Sequence, residues 1–310
     1  MGVQEWNVTE PYLEIPCSLG EGPHYHAPSH TLRFLDINNR QLHLLDLRAG
    51  PSSLRTISTS MPVGVTADLA GVDPTHEILC GAKDGVTRFD LRTGQHAYVA
   101  RFWQNVTDEQ EQQDRTRRFR ANDGGVDSRG RFWVEAFVDP TVGEPDRDGC
   151  LMRLDGFDGR KGKLTTVLEG VTIPNGISWS EDDGTMFFTD SPRQEVGRFE
   201  YVAGTGEVGE RKVLYRHEVE GEFPDGHVMD VEGNIWHAVY GGAKVIRISP
   251  QGEVTGVVRL PVKNVTCPVF VGTELYITTA KDEDGGKWAG SLFRCEVGVE
   301  GVKKREVCFE

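Results

Sequence analysis

At 310 residues, with 37% hydrophobic and 26% charged side chains, the chain has the composition of a soluble globular protein, with room for two average domains or one large barrel or propeller. Its formal net charge of -14 argues against a nucleic-acid partner, because a phosphate backbone would be repelled. The 37 glycines follow no collagen period; they imply many turns, and many turns beside few helical patterns imply an all-β protein.

The N-terminal MGVQEWNVTEPYLEIP has neither a basic start nor an apolar core, so no secretory signal is expected. No window approaches the roughly 18 apolar residues of a membrane span. Cys17, Cys80, Cys150, Cys267, Cys295 and Cys308 are scattered, without a CxxC pair, and read as reduced thiols of a cytoplasmic protein. The Asn-Val-Thr sequons at Asn7, Asn105 and Asn264 are read as chance.

From residue 19 a unit recurs six times. Its opening segments are LGEGPHYHAP (19–28), PVGVTADLAG (62–71), RANDGGVDSRG (120–130), IPNGISWSEDDG (173–184), FPDGHVMDVEG (223–233) and TCPVFVG (266–272). Each is followed by a short apolar run such as RGRFWVEA or EGNIWHAV, and then by a run with Arg before its central apolar residue, as in GVTRFDLRTG. A more polar fourth run follows in places: QHAYVARF, EVTGVVRL and KKREVCF. Four short strands repeated six times at spacings near 45 to 55 residues predict a six-bladed β-propeller with four-stranded blades, one domain over 1–310. Radial closure removes exposed strand edges, so the N- and C-terminal segments should pair, with TEPYLEIP joining the last blade. Two polar segments interrupt the period: 103–119 reads as an exposed loop or short helix, and 138–149 as a lengthened hairpin of blade three; long loops on one face either cover a site or are disordered.

The first strand of each blade lines the channel of a propeller, and its leading end faces the mouth. Those positions carry Glu21, then Val63-Gly64, Asn122, Asn175, Asp225 and Cys267. Asn-Gly and Asp-Gly are ordinary turn formers taken singly. Placed at equivalent points of a ring, however, two carboxylates and two amides converge on one axis, where they call for a cation. Oxygen donors of this kind suit Ca²⁺ or Mg²⁺ most naturally, with Mn²⁺ or Zn²⁺ as alternatives.

LGEGP (19–23), RANDGGVDSRGRFW (120–133), PNGISWSEDDGTMFFTDS (174–191) and FPDGHVMDVEGNIWHAVYGGAKVIRISPQG (223–252) resemble the SMP-30/gluconolactonase family of six-bladed propellers, over nearly the whole chain and in order. The resemblance implies one divalent metal ion held by Glu21, Asn175 and Asp225, substrate contacts from Arg120 and Asn122, and hydrolysis of sugar lactones. The chain departs from the family at Tyr25, where Trp is typical, and around Glu135-Ala136-Phe137 and Asp139-Pro140, where relatives place acidic substrate contacts.

Opening a lactone needs a polarised carbonyl and an activated water, both of which a bound cation supplies. Asp225 is the expected general base as well as a ligand, and Arg120 and Asn122 the expected holders of sugar hydroxyls and the oxyanion. No G-x-S-x-G elbow argues for a nucleophile instead. The expected partner is a small-molecule lactone, bound to a monomer or weak homodimer, with neither nucleic acid nor membrane involved. The alternatives are a calcium-binding regulatory or structural propeller without turnover, or the same pocket acting on a non-sugar lactone or other ester. His24, His26 and His30 lack a standard zinc spacing and read as exposed. His227 reads as a packed neutral histidine, Cys267 as a small buried thiol, and Trp133, Phe187 and Trp236 as blade core.

Overall fold

The computed structural model describes residues 2–282 and 286–309. Six antiparallel sheets follow one another in chain order around a channel, forming the six-bladed β-propeller expected from the repeat. The innermost strands are Gly20–His26, Val63–Ala67, Phe119–Val126, Pro174–Trp179, Phe223–Met229 and Val265–Val271. Each opens one of the recurrent sequence segments. No helix among the described residues is long and apolar enough to cross a membrane, and all six cysteines are free.

Large apolar side chains from adjacent blades interlock and hold the ring together. Between blades three and four, Trp133 and Trp179 stand with ring centroids 5.7 Å apart, and Tyr201 lies 6.1 Å from Trp133. Trp133, Phe187 and Trp236 are all buried, as the sequence suggested. A repeated device fixes the turn after an inner strand: the Trp133 indole donates to Asp127 Oδ2 at 2.9 Å, and the Trp236 indole to Asp230 Oδ2 at 2.8 Å. Both aspartates are buried and satisfied, which is the condition for a carboxylate to be tolerated in a core.

The ring closes where expected. Tyr12 N donates to Leu292 O at 2.9 Å, and Leu13 and Leu292 form an antiparallel bridge, so TEPYLEIP extends the three-stranded sixth sheet. Residues 4–7 add something the repeat does not announce. Gln4–Asn7 lies parallel to the outer strand Val254–Arg259 of blade five, with the Trp6 and Trp236 rings tilted at 54° and their centroids 5.3 Å apart. KKREVCF does not form an outer strand, contrary to the sequence reading. Residues 300–308 instead cross the end of the channel opposite the mouth. Val231 N donates to Glu300 O, Val302 N to Met229 O, Val307 N to Asp68 O and Cys308 N to Gly130 O, all within 2.8–2.9 Å.

The insertion at 103–119 contains helix α1 (Glu109–Arg118), started by Asp108, whose Oδ1 accepts from Glu111 N at 2.8 Å. Acidic residues in its first turn and arginines in its last suit the helix dipole. Arg118 reaches Asp148 at 3.3 Å, tying the helix to the 138–149 insertion. Both insertions lead into strand ends at the channel mouth of blade three.

Candidate functional site

Every inner strand carries a register shift near its mouth end: Glu21/His24, Val63/Val65, Ala121/Gly124, Asn175/Ile177, Pro224/His227 and Val265/Cys267. A bulge of this kind breaks the two-residue alternation and re-aims a side chain. It therefore delivers one residue per blade to the axis, and in four blades that residue is Glu21, Asn122, Asn175 or Asp225. Glycine makes the close approach feasible. A Cβ on Gly226 would stand 2.5 Å from Cys267 Sγ, and Gly176 takes φ +36° with His227 Nδ1 only 2.4 Å from where its Cβ would be.

Glu21, Arg120, Asn175 and Asp225 are buried at the mouth, and Asn122 is half-buried. An ordered amide chain runs through them. Arg120 Nη1 donates to Asn122 Oδ1 at 3.0 Å and to Ala121 O at 2.8 Å. Asn122 Nδ2 donates to Asn175 Oδ1 at 3.0 Å and to Pro174 O at 2.8 Å. Asn175 Nδ2 in turn donates to Ser191 Oγ at 2.9 Å, whose hydroxyl donates to Pro224 O at 2.6 Å, next to Asp225. The Asn175 amide is thereby fixed in orientation, and its Oδ1 keeps a second lone pair.

The carboxylates are only partly relieved by the groups around them. Burial, reinforced by the charge of Asp123, pushes the Glu21 carboxyl up to about 8, against the pull of the Gly22 amide and Arg120. Burial and then Glu21 and Asp123 hold Asp225 well above the usual range. Asp123 is raised by burial too, although Gly124 N at 2.7 Å and Gly176 N at 3.0 Å donate to it. Arg120 is lowered to about 10 by burial, opposed by Asp139 and Glu21. Its guanidinium lies 4.7 Å from the Phe137 ring centroid and 3.8 Å from Asp139 Oδ1, and Lys83 Nζ reaches Asp139 Oδ2 at 3.1 Å.

Among the described residues no three His, Cys, Asp or Glu side chains gather as a metal cluster. The expected set contains only two such residues, its third member being the amide of Asn175. Two buried carboxylates, both held above the usual range by burial and neighbouring negative charge, beside an oriented amide oxygen form an all-oxygen donor set, and its chemistry fits a hard divalent cation.

The other sequence candidates resolve individually. His24 pairs with Asp68 at 2.9 Å, His26 with Ser29 at 2.6 Å and His30 with Tyr25 at 3.1 Å, so the three do not converge. His24 is buried rather than exposed, which corrects the reading of that segment. His227 is packed, with its pKa held well below the ordinary value by burial and then by His237; its Nε2 pairs with Ser178 Oγ at 2.7 Å. Burial and the nearby carboxylates push the Cys267 thiol far up, which disfavours a thiolate nucleophile. Below the carboxylates a cavity of about 110 Å³, lined by His24, Ser178, His227 and Cys267, ends at Lys304 of the crossing tail.

Sequence reasoning did not assign Asp123, Glu135, Ser191 or Lys83 to the site. The available signals were Asp123 inside the Asn-Asp-Gly turn and a lone acid in the otherwise apolar FWVEAFV.

Residues 19–281 match the SMP-30/gluconolactonase/LRE-like region. Regucalcin of Gallus gallus is 32% identical over 304 residues, covering 92% of this chain and 93% of its own. Pentonolactonase XacC of Haloferax volcanii is 30% identical over 302 residues, covering 93% and 94%. The solved structure of a calcium-binding protein, regucalcin, from Agrobacterium tumefaciens superposes with a TM-score of 0.82 at 25% identity, covering 99% of this chain and 98% of that one. With this match across the ring, the chain belongs to the SMP-30/gluconolactonase/LRE-like family.

Proposed function

We propose that the protein hydrolyses a lactone, foremost a sugar-type aldonolactone, to its hydroxy acid, with one divalent cation held by Glu21, Asn175 and Asp225. The observation that carries this reading is the pair of buried carboxylates, Glu21 and Asp225, beside a fixed amide and the Arg120 guanidinium at the mouth of the channel. Relatives named as a putative sugar lactone lactonase and a pentonolactonase support this reading.

When bound, the cation supplies Lewis acidity toward an ester carbonyl and lowers the pKa of water. Asp225 takes the proton of the attacking water. Water oxygen adds to the carbonyl carbon, the ring C–O bond breaks, and the proton held by Asp225 passes to the departing alkoxide. Arg120, seated on Phe137 and bonded to Asn122, stabilises the negative charge that grows on the carbonyl oxygen. Asn122 orients a sugar hydroxyl. The six blades act as one unit, because these residues come from blades one, three, four and five.

The name regucalcin among the relatives, and the calcium-binding description of the solved neighbour, favour a second reading: a calcium-binding propeller without turnover. Screening five- and six-membered lactones with a pH indicator, with and without chelator, separates the two. Chelator-sensitive acid release that disappears in Asp225→Ala supports the enzyme. Tight cation binding with no turnover on any lactone or ester sinks it.

A further inference from the structure

Glu135 lies on the second strand of blade three, Phe132–Val138, and is fully buried. Pairing of Ala121 with Ala136 and of Gly124 with Val134 places it directly across from the bulged residues Asn122 and Asp123. Among the described residues, no hydrogen bond of normal geometry reaches either carboxylate oxygen. The charges that act on it are those of Asp123, Glu21 and Asp225, all negative, tempered only by the nearby Asp123 amide. Buried carboxylates in folded proteins are paired or hydrogen-bonded, and one that is neither marks a missing partner. Its six neighbours on the strand are Phe, Trp, Val, Ala, Phe and Val, so an apolar residue would suit the packing.

We propose that Glu135 is a further anionic determinant of the cation site, acting from behind Asp123 to tighten the hold on a divalent ion at the mouth. The proposal rests on the reading that Glu21, Asn175 and Asp225 hold that ion. The charges of Glu21, Asp123 and Asp225 all act on buried Glu135, and Arg120 is the guanidinium acting on Glu21. A monovalent ion leaves most of that repulsion in place, whereas a divalent ion relieves much more of it. The expense of an unpaired buried acid in the empty chain then becomes affinity in the loaded one.

The test is calorimetric titration of the chelator-stripped protein with Ca²⁺ and with Mn²⁺, in wild type, Glu135→Gln, Glu135→Leu and Glu21→Gln, with thermal melts in parallel. Glu135→Gln is expected to weaken binding of both ions by roughly tenfold or more. Glu135→Leu is expected to melt higher than wild type in chelator yet gain less on adding Ca²⁺, a combination that a merely structural acid would not produce. Glu135→Gln binding both ions as tightly as wild type, while Glu21→Gln abolishes binding, overturns the proposal and leaves the cation site standing. Wild-type affinity in Glu21→Gln overturns the cation site and this inference together. If Glu135→Leu fails to fold, the near-isosteric Glu135→Gln isotherm decides.

Discussion

Asn122 Nδ2 donates to Asn175 Oδ1 at 3.0 Å, joining blade three to blade four at the mouth of the channel. The bond sets which way the Asn175 amide faces, and Ser191 fixes its other end at 2.9 Å. Groups that orient a metal ligand typically matter by 10- to 100-fold in affinity or activity. Asn122→Ala is therefore expected to weaken Ca²⁺ binding roughly tenfold, in addition to raising KM for a lactone. Ser191→Ala, which touches no substrate in the proposed chemistry, is expected to weaken the cation alone. Calorimetry beside steady-state kinetics checks both; unchanged affinity in the two variants would refute the orienting role.

Arg120 is held by shape as much as by charge: its guanidinium faces the Phe137 ring at 4.7 Å and donates to Asn122 and Ala121. Lysine keeps the positive charge but has no planar face and no fork of donors. Arg120→Lys is expected to lower kcat/KM about 100-fold, the scale of losing one oxyanion donor. Cation affinity should change little. A variant that keeps most of its kcat/KM would show that Arg120 only balances charge at the mouth.

The ring was legible because each blade begins with the same kind of segment, and because the turn glycines mark where inner strands start. Asp225 stood out for a physical reason: blade two fills the equivalent place with Val63-Gly64, so the fold itself asks for no acid there. Glu135 was harder to place. Phe132–Val138 is buried along its whole length, so no polar/apolar alternation reveals which way a residue points. The bulge opposite it is a register shift that no single strand's sequence displays. The tail was misread because VKKREV has the polar, alternating look of an outer strand, while its real partners, Met229, Asp68 and Gly130, lie far away in sequence.

His237 gives the fold a pH dependence separate from the carboxylates. It is fully buried, pairs with Thr189 Oγ1 at 2.9 Å, and is lowered to about 3 by burial, with Ala238 O opposing and His217 adding repulsion. The unfolded chain takes up this proton near pH 6.5 and the folded chain does not, so stability is lost as pH falls from about 6.5 toward 3. The loss from this residue is on the order of several kcal/mol across that window. Denaturant midpoints at successive pH values should drop through it, and His237→Gln should flatten the slope. An unchanged slope in the variant would mean that His237 is protonated in the fold.

The crossing tail closes the far end of the channel and contributes to stability through a few identifiable contacts. Val307 is 1% exposed, belongs to the core beneath blades two and three, and exchanges backbone bonds with Asp68 and Ala70 at 2.8 and 2.9 Å. Val307→Ala removes two buried methyl groups and is expected to cost about 2 kcal/mol. Truncation after Glu300 also removes the bonds at Val302 and Cys308 and should lower the melting temperature further. It would also open the cavity at Lys304 to solvent from below. The mouth residues sit at the opposite end of the inner strands from the tail's backbone contacts at Asp68, Gly130 and Met229, so kcat/KM at a temperature well below the melt should stay within about threefold of the full chain, as expected for distant sites. Urea titration of Val307→Ala and lactone kinetics of the truncated chain measure the two parts separately. A truncated chain that melts like wild type would show that the tail is a passenger, and one that stays folded but loses turnover would show that the channel's far end takes part in the chemistry.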